Sequence, residues 1–133
     1  MPRKTENKAA DNTPGRFAYD GLDRVLHERA RLGILSSLAV HEGGLLFADL
    51  KQLCGLTDGN LNRHLAVLSE AGLVGTWKGQ QGPRPQTLYR LTPEGRDRFA
   101  AYLGELERVV ADAQARLQPD ETESTAPVRW SPT

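Results

Sequence analysis

The sequence predicts a mainly helical α+β domain with one small β-hairpin and a long C-terminal helix. Three observations carry that expectation. Apolar residues recur at helical spacing from Leu22 to about residue 41 and again over 57–71. The pattern changes at Leu73, where β-forming residues appear in two runs around a stretch rich in Gly and Pro. Thr92 and Pro93 then open a further apolar stripe that reaches about residue 117.

The elements follow in order. Residues 1–19 are polar and rich in Lys, Asn, Thr and Pro, so they read as a flexible N-terminal tail. Leu22 begins the folded part. A short lead-in helix is expected at 21–27 and a longer one at about 28–41, with Leu26, Ala30, Ile34 and Leu38 four apart on one face. Gly43 and Gly44 end it. Leu45, Leu46 and Phe47 fit a very short strand, and Phe47, Leu50 and Leu53 mark a two-turn helix over 47–54. Gly55 stops that helix.

Thr57 can cap the next helix, because its hydroxyl accepts a backbone N–H that has no partner within the helix. Leu61, Leu65 and Leu68 form its apolar seam, and Gly72 ends it near residue 71. LVGTWKG (73–79) and TLYRL (87–91) read as strands. GQQGPRPQ (79–86) between them is expected to be a long loop, because Pro and Gly disfavour both helix and central strand. Trp77 is expected to pack beneath this hairpin. In the last helix Phe99, Tyr102, Leu103, Leu106, Val109 and Val110 make the apolar face. Residues 118–133, with Trp130 among them, read as a second flexible tail, so the expected domain spans 20–117.

Composition narrows the function classes. No apolar run approaches the roughly 20 residues needed to span a bilayer. The start of the chain has no apolar stretch behind its charges, so no secretory signal is expected. Cys54 is the single cysteine, which excludes an intrachain disulfide and suits a cytoplasmic protein. The 17 basic and 17 acidic residues cancel, but not locally. Residues 51–96 carry six basic against three acidic residues, and residues 97–133 carry four against seven. A phosphate-facing surface needs such a local positive field, not a positive total.

A short helix joined through Gly55-Leu56-Thr57 to a second helix is a helix-turn-helix. Leu56 is expected to bury against both helices and fix their crossing. The second helix is then held outward, where its first turns can enter a major groove, and the hairpin becomes a wing. With the leucine seam turned inward, Gly59, Asn60, Asn62, Arg63 and Ala66 point outward or flank it. Asn can pair with adenine, and Arg with guanine N7 and O6. Thr57 and the free N–H groups at the helix start suit a phosphate, and Asp58 suits either that surface or a plain helix cap. Lys78, Arg84, Gln80 and Gln81 in the wing can reach phosphates or a minor groove.

RLGILSSL, FADLKQLCGLTDGNLNRHLAVLSEAGLV and TLYRLTPEGR together resemble winged helix-turn-helix bacterial transcriptional regulators of the MarR/ArsR type, in particular the compact single-domain forms. The likeness runs from about Leu22 to Leu106. It implies a homodimer that binds double-stranded DNA sequence-specifically, in most cases as a repressor. It implies a recognition helix at 57–71 and a wing at 78–87, with Thr57, Asp58, Gly59, Asn60, Asn62, Arg63, Lys78 and Arg84 as reading positions. A small-molecule effector is compatible with it.

Other residues have plainer readings. His64, just before Leu65, is expected to pack rather than to read bases. Arg31 suits a phosphate contact or an ordinary ion pair equally. Cys54 is expected to be a packed thiol, since no second cysteine exists to resolve an oxidised one. His27, His41 and His64 lack metal-ligand spacing, so no metal or cofactor is expected. No nucleophile–base pair or carboxylate dyad points to an enzyme. The competing reading is a winged-helix module for protein–protein contacts, which the neutral net charge favours slightly. Leu103, Leu106, Val110 and Leu117 continue an apolar stripe past the wing. Together with the segment at 20–35 they are expected to form the dimer contact.

Overall fold

The structure, a computed structural model, describes residues 12–81 and 83–117. Its elements are α1 (Arg29–Val40), α2 (Phe47–Cys54), α3 (Asp58–Glu70), β1 (Val74–Gln81), β2 (Arg84–Leu91) and α4 (Pro93–Leu117). Both expected end tails fall mostly outside the described residues, Trp130 included.

The core gathers the seams read from the spacing. Ile34, Leu35 and Leu38 of α1 meet Leu50 of α2, and Leu61, Leu65 and Leu68 of α3. Leu73, Val74, Leu91, Phe99 and Tyr102 close it from the wing base and α4. Each leucine buried in this way contributes on the order of 2 kcal/mol.

Two glycine turns set the helix-turn-helix. Gly55 adopts φ 64°, and the N–H of Leu56 reaches back to the Lys51 carbonyl at 3.1 Å while that of Gly55 reaches Gln52. Gly72, at φ 79°, repeats the arrangement, with Leu73 N–H on the Leu68 carbonyl at 2.9 Å. A left-handed residue here satisfies the last helix carbonyls, and glycine adopts that conformation without Cβ strain. Leu56 is half-buried against the core, as its place in the turn requires.

The segment before α1 differs from expectation. No helix forms at 21–27; the chain turns instead. The Asp23 carboxylate accepts the Val25 N–H at 2.9 Å, which competes with helical pairing. Glu28 is then extended (φ −154°, ψ 134°) and its carboxylate caps the Arg31 N–H at 2.8 Å, so α1 begins afresh at Arg29. Residues 12–19, expected in the flexible tail, are also held. Arg16 donates both terminal nitrogens to Asp112 on α4, at 3.0 and 3.2 Å, and the Tyr19 hydroxyl donates to the same carboxylate at 2.6 Å.

The expected long loop of the hairpin is replaced by strand. β1 and β2 pair antiparallel from Val74↔Leu91 to Gln81↔Arg84, so 79–86 lies largely within the ladder. Pro85 is tolerated by parity. Tyr89 N–H bonds Leu45 on the outer side, at 2.8 Å, and strand alternation gives Pro85 the same outward orientation. The N–H that proline lacks would have faced away from β1, and the edge absorbs it. The short strand expected at 45–47 is a single bridge, Leu45↔Tyr89. Trp77 does not lie beneath the wing. It is 39% exposed and stacks under the Arg90 guanidinium, 4.7 Å from the ring centroid.

The junction into α4 is tight. Thr92 Oγ1 donates to the Gly72 carbonyl at 2.6 Å and accepts the Gly95 N–H at 2.8 Å. A Cβ on Gly95 would stand 2.1 Å from the Leu73 carbonyl oxygen, so only glycine fits there. Of the stripe expected on the 25-residue α4, Leu106 still packs against the core, while Leu103, Val110 and Leu117 remain exposed.

Candidate nucleic-acid interface

The site is built on the first two turns of α3. Thr57 is its N-cap, with Oγ1 accepting the Asn60 N–H at 3.1 Å, and the hydroxyl hydrogen stays available to an acceptor outside. The inward side of the helix is fully used. Leu61, Leu65 and Leu68 are in the core, and His64 is only 5% exposed.

His64 faces α1, where its Nδ1 accepts from Arg31 Nε at 3.3 Å and lies 3.9 Å from the Glu28 carboxylate. Arg31 Nη1 also donates to the Val25 carbonyl at 3.0 Å. Arg31 is therefore a tie between α1, α3 and the preceding turn, not a group projecting toward phosphate. Glu28 is held below the usual carboxylate range by the Arg31 backbone N–H.

The outward side serves no packing role. Thr57, Asp58, Gly59, Asn60, Asn62, Arg63 and Ala66 are all exposed. Nothing stands within 4 Å of a Cβ placed on Gly59, so this part of the helix offers a bare backbone to an approaching surface. Arg63 Nη2 donates to Asn60 Oδ1 at 3.3 Å.

Asp58 pairs with Lys51 at 3.0 Å, across the turn from α2. Lys51 is a basic residue at the mouth of this surface that spacing on α3 alone did not reveal. Its signal was a lysine on the exposed face of the short helix that precedes the turn. The pair is about half exposed, so it adds little to stability and mainly screens the Asp58 charge.

In the wing, Lys78, Gln80 and Arg84 are exposed, and Lys78 Nζ donates to Thr87 Oγ1 at 3.4 Å. Gln81 pairs through its backbone with Arg84 at the hairpin end. Cys54 is half-buried, with Sγ 3.7 Å from Ser37 Oγ, and packs between α1 and α2 as a structural thiol. Among the described residues no group of His, Cys, Asp and Glu is placed to hold a metal. No helix among them is long and apolar enough to cross a membrane.

A helix held outward by a glycine turn, bare and polar on its free side and followed by a hairpin with basic residues, is an arrangement for entering a groove. The family model described as "Winged helix DNA-binding domain" matches residues 30–110. The chain belongs to the winged helix DNA-binding domains.

This winged helix domain is similar to the transcriptional regulator homologue from Pyrococcus horikoshii OT3. The two are 31% identical with a TM-score of 0.62, over 68% of this chain and 89% of that one. A MarR family transcriptional regulator from Silicibacter pomeroyi DSS shares the fold, with a TM-score of 0.56 at 20% identity, over 92% of this chain and 76% of that one. A 60-residue stretch is 42% identical to an uncharacterized protein of Methanocaldococcus jannaschii, covering 45% of this chain. That match spans 65% of the archaeal protein, slightly less than two thirds of its length. The MarR-like resemblance read from the sequence thus holds for the fold.

Proposed function

We propose that this chain is a sequence-specific regulator of transcription that binds double-stranded DNA as a homodimer and acts as a repressor. One observation carries the reading. Apart from the Thr57 cap, the exposed face of α3 up to Ala66 packs against nothing in the core, while the opposite face is entirely committed to it. In this reading α3 lies in the major groove, where Asn60, Asn62 and Arg63 contact base edges. Thr57, Lys51 and the free N–H groups at the helix start hold phosphate. Lys78, Gln80, Gln81 and Arg84 carry the wing to the backbone or the minor groove. Bound over a promoter, such a protein represses by excluding the polymerase.

The exposed Leu103, Val110 and Leu117 of α4 support the dimer, because a row of apolar side chains facing water is stabilised by a partner. Two-fold symmetry would set the two recognition helices about 34 Å apart, one DNA turn. A small-molecule effector in the dimer crevice, a cytoplasmic location and no catalytic activity complete the reading.

Binding to the DNA upstream of its own gene, titrated with salt, tests it. Arg63→Ala should weaken binding and relax one base position, and Arg84→Ala should weaken all sequences alike and flatten the salt slope by roughly 0.9. If neither change altered binding, the DNA reading would be abandoned. A module for protein–protein contacts, the alternative suggested by zero net charge, would show no steep salt dependence on bulk DNA.

A further inference from the structure

Three acceptors on the outward face of α3 are already engaged within the protein. Thr57 Oγ1 takes the Asn60 N–H, the Asp58 carboxylate takes Lys51, and Asn60 Oδ1 takes Arg63 Nη2. The Asn60–Arg63 bond changes what the asparagine can read. Bidentate recognition of adenine needs the amide oxygen to accept from N6 while the amide nitrogen donates to N7. Here that oxygen carries a guanidinium. An adenine N6 amino group approaching it would meet the guanidinium hydrogens, donor against donor.

What the pair still offers is mainly donors: two from Asn60 Nδ2 and four of the five N–H groups of Arg63, against one remaining Oδ1 lone pair that lies beside the guanidinium hydrogens. In the major groove guanine presents two acceptors side by side, N7 and O6, and thymine presents O4. Cytosine presents a donor, and adenine presents one donor beside its acceptor. We propose that Asn60 and Arg63 act as one donor-rich unit that selects guanine, with Asn60 orienting the Arg63 fork rather than reading adenine itself. The unit rests on α3 being a recognition helix. Asn62, one residue before Arg63 and carrying both a donor and an acceptor, is left to read a neighbouring base pair.

Selection from a random double-stranded DNA pool tests this, with the full chain and its Arg63→Ala, Asn60→Ala and Asn60→Asp variants. All three changes are on exposed positions, and matching melting curves establish that the fold is retained. The expected wild-type motif holds a guanine at the position that Arg63→Ala relaxes, by roughly 5- to 150-fold. Asn60→Ala should relax that same position several-fold. Asn60→Asp, which keeps an acceptor for the guanidinium, should retain the guanine, with total affinity lower because a carboxylate then faces phosphate.

An Asn60→Ala variant that lost a separate adenine position and kept the guanine intact would overturn the proposal and leave the regulator reading standing. So would DNA binding without base preference at the Arg63 position. If no DNA were retained at all, the regulator reading would fail, and the donor unit with it.

Discussion

Arg31 Nε donates to His64 Nδ1 at 3.3 Å, tying α1 to the buried side of the recognition helix. The two residues are 33 positions apart, and the bond gives a buried imidazole nitrogen its partner. Arg31→Ala would leave that nitrogen and the Val25 carbonyl without this donor. The expected cost is about 1–3 kcal/mol, read as a lower thermal midpoint. An unchanged midpoint together with weaker DNA binding would instead make Arg31 a phosphate contact.

Gly59 and Gly104 are both helical, and neither has anything within 4 Å of a Cβ. Alanine at either should raise stability by about 0.5–1 kcal/mol through helix propensity. Only Gly59→Ala should also weaken DNA binding, because its methyl group stands on the face offered to the groove. Equal affinities for the two variants would remove Gly59 from the interface.

Gly95 is the opposite case. Its added Cβ would meet backbone, the Leu73 carbonyl, at 2.1 Å, and backbone cannot rotate aside. Gly95→Ala should destabilise by about 1–3 kcal/mol and shift the angle at which α4 leaves the wing. A denaturation midpoint equal to wild type would show that the junction is looser than this geometry requires.

Asp112 is held down to about 2 by hydrogen bonds from Arg16 and then Tyr19. A carboxylate with a depressed folded value stabilises the contact above its ordinary value of 3.8, and that stabilisation is lost as pH falls through about 2. Residues 12–20 should therefore release from α4 between about pH 4 and pH 2. Tyr19 resonances followed by NMR through this range give the measurement. Asp112→Asn should release the segment already at neutral pH.

The exposed Leu103 and Val110 predict an association that sedimentation can read. Val110→Glu should turn a dimer into a monomer at micromolar concentration without lowering the unfolding free energy of the protomer. A wild-type chain that sediments as a monomer would remove the homodimer from the proposed function.

Much of the fold was readable because its causes are local. The α1 and α3 seams came from residues three and four apart. The two turns came from Gly55 and Gly72, where a left-handed residue closes a helix. The start of α4 came from Thr92 and Pro93. The polar face of α3 was equally visible, since seven exposed positions from 57 to 66 are what remains once the leucine seam is turned inward. His64 was also placed correctly, next to Leu65 on the packing side.

What the sequence left open depends on contacts between distant residues. Nothing near Arg16 or Tyr19 announces Asp112, more than 90 positions away, so the segment read as a tail. The turns before α1 replace a helix because Asp23 bonds Val25 locally and Arg98 from α4 across the chain; burial is the largest single influence on its carboxylate, and the Arg98 hydrogen bond and charge together with the Val25 and Leu26 N–H groups outweigh it. The Gly- and Pro-rich stretch became strand because pairing across the hairpin outweighed composition, with Pro85 turned so that no ladder bond was lost. Sequence alone thus determined α1 to α4, where they stop and which face of α3 is free, though not the absence of a helix at 21–27, because periodicity, caps and glycine turns act within a few residues. Only the tertiary structure decided that Arg31 supports His64 and that Asp58 is screened by Lys51. Those pairings depend on where separate folded elements come to rest, and no local pattern encodes that.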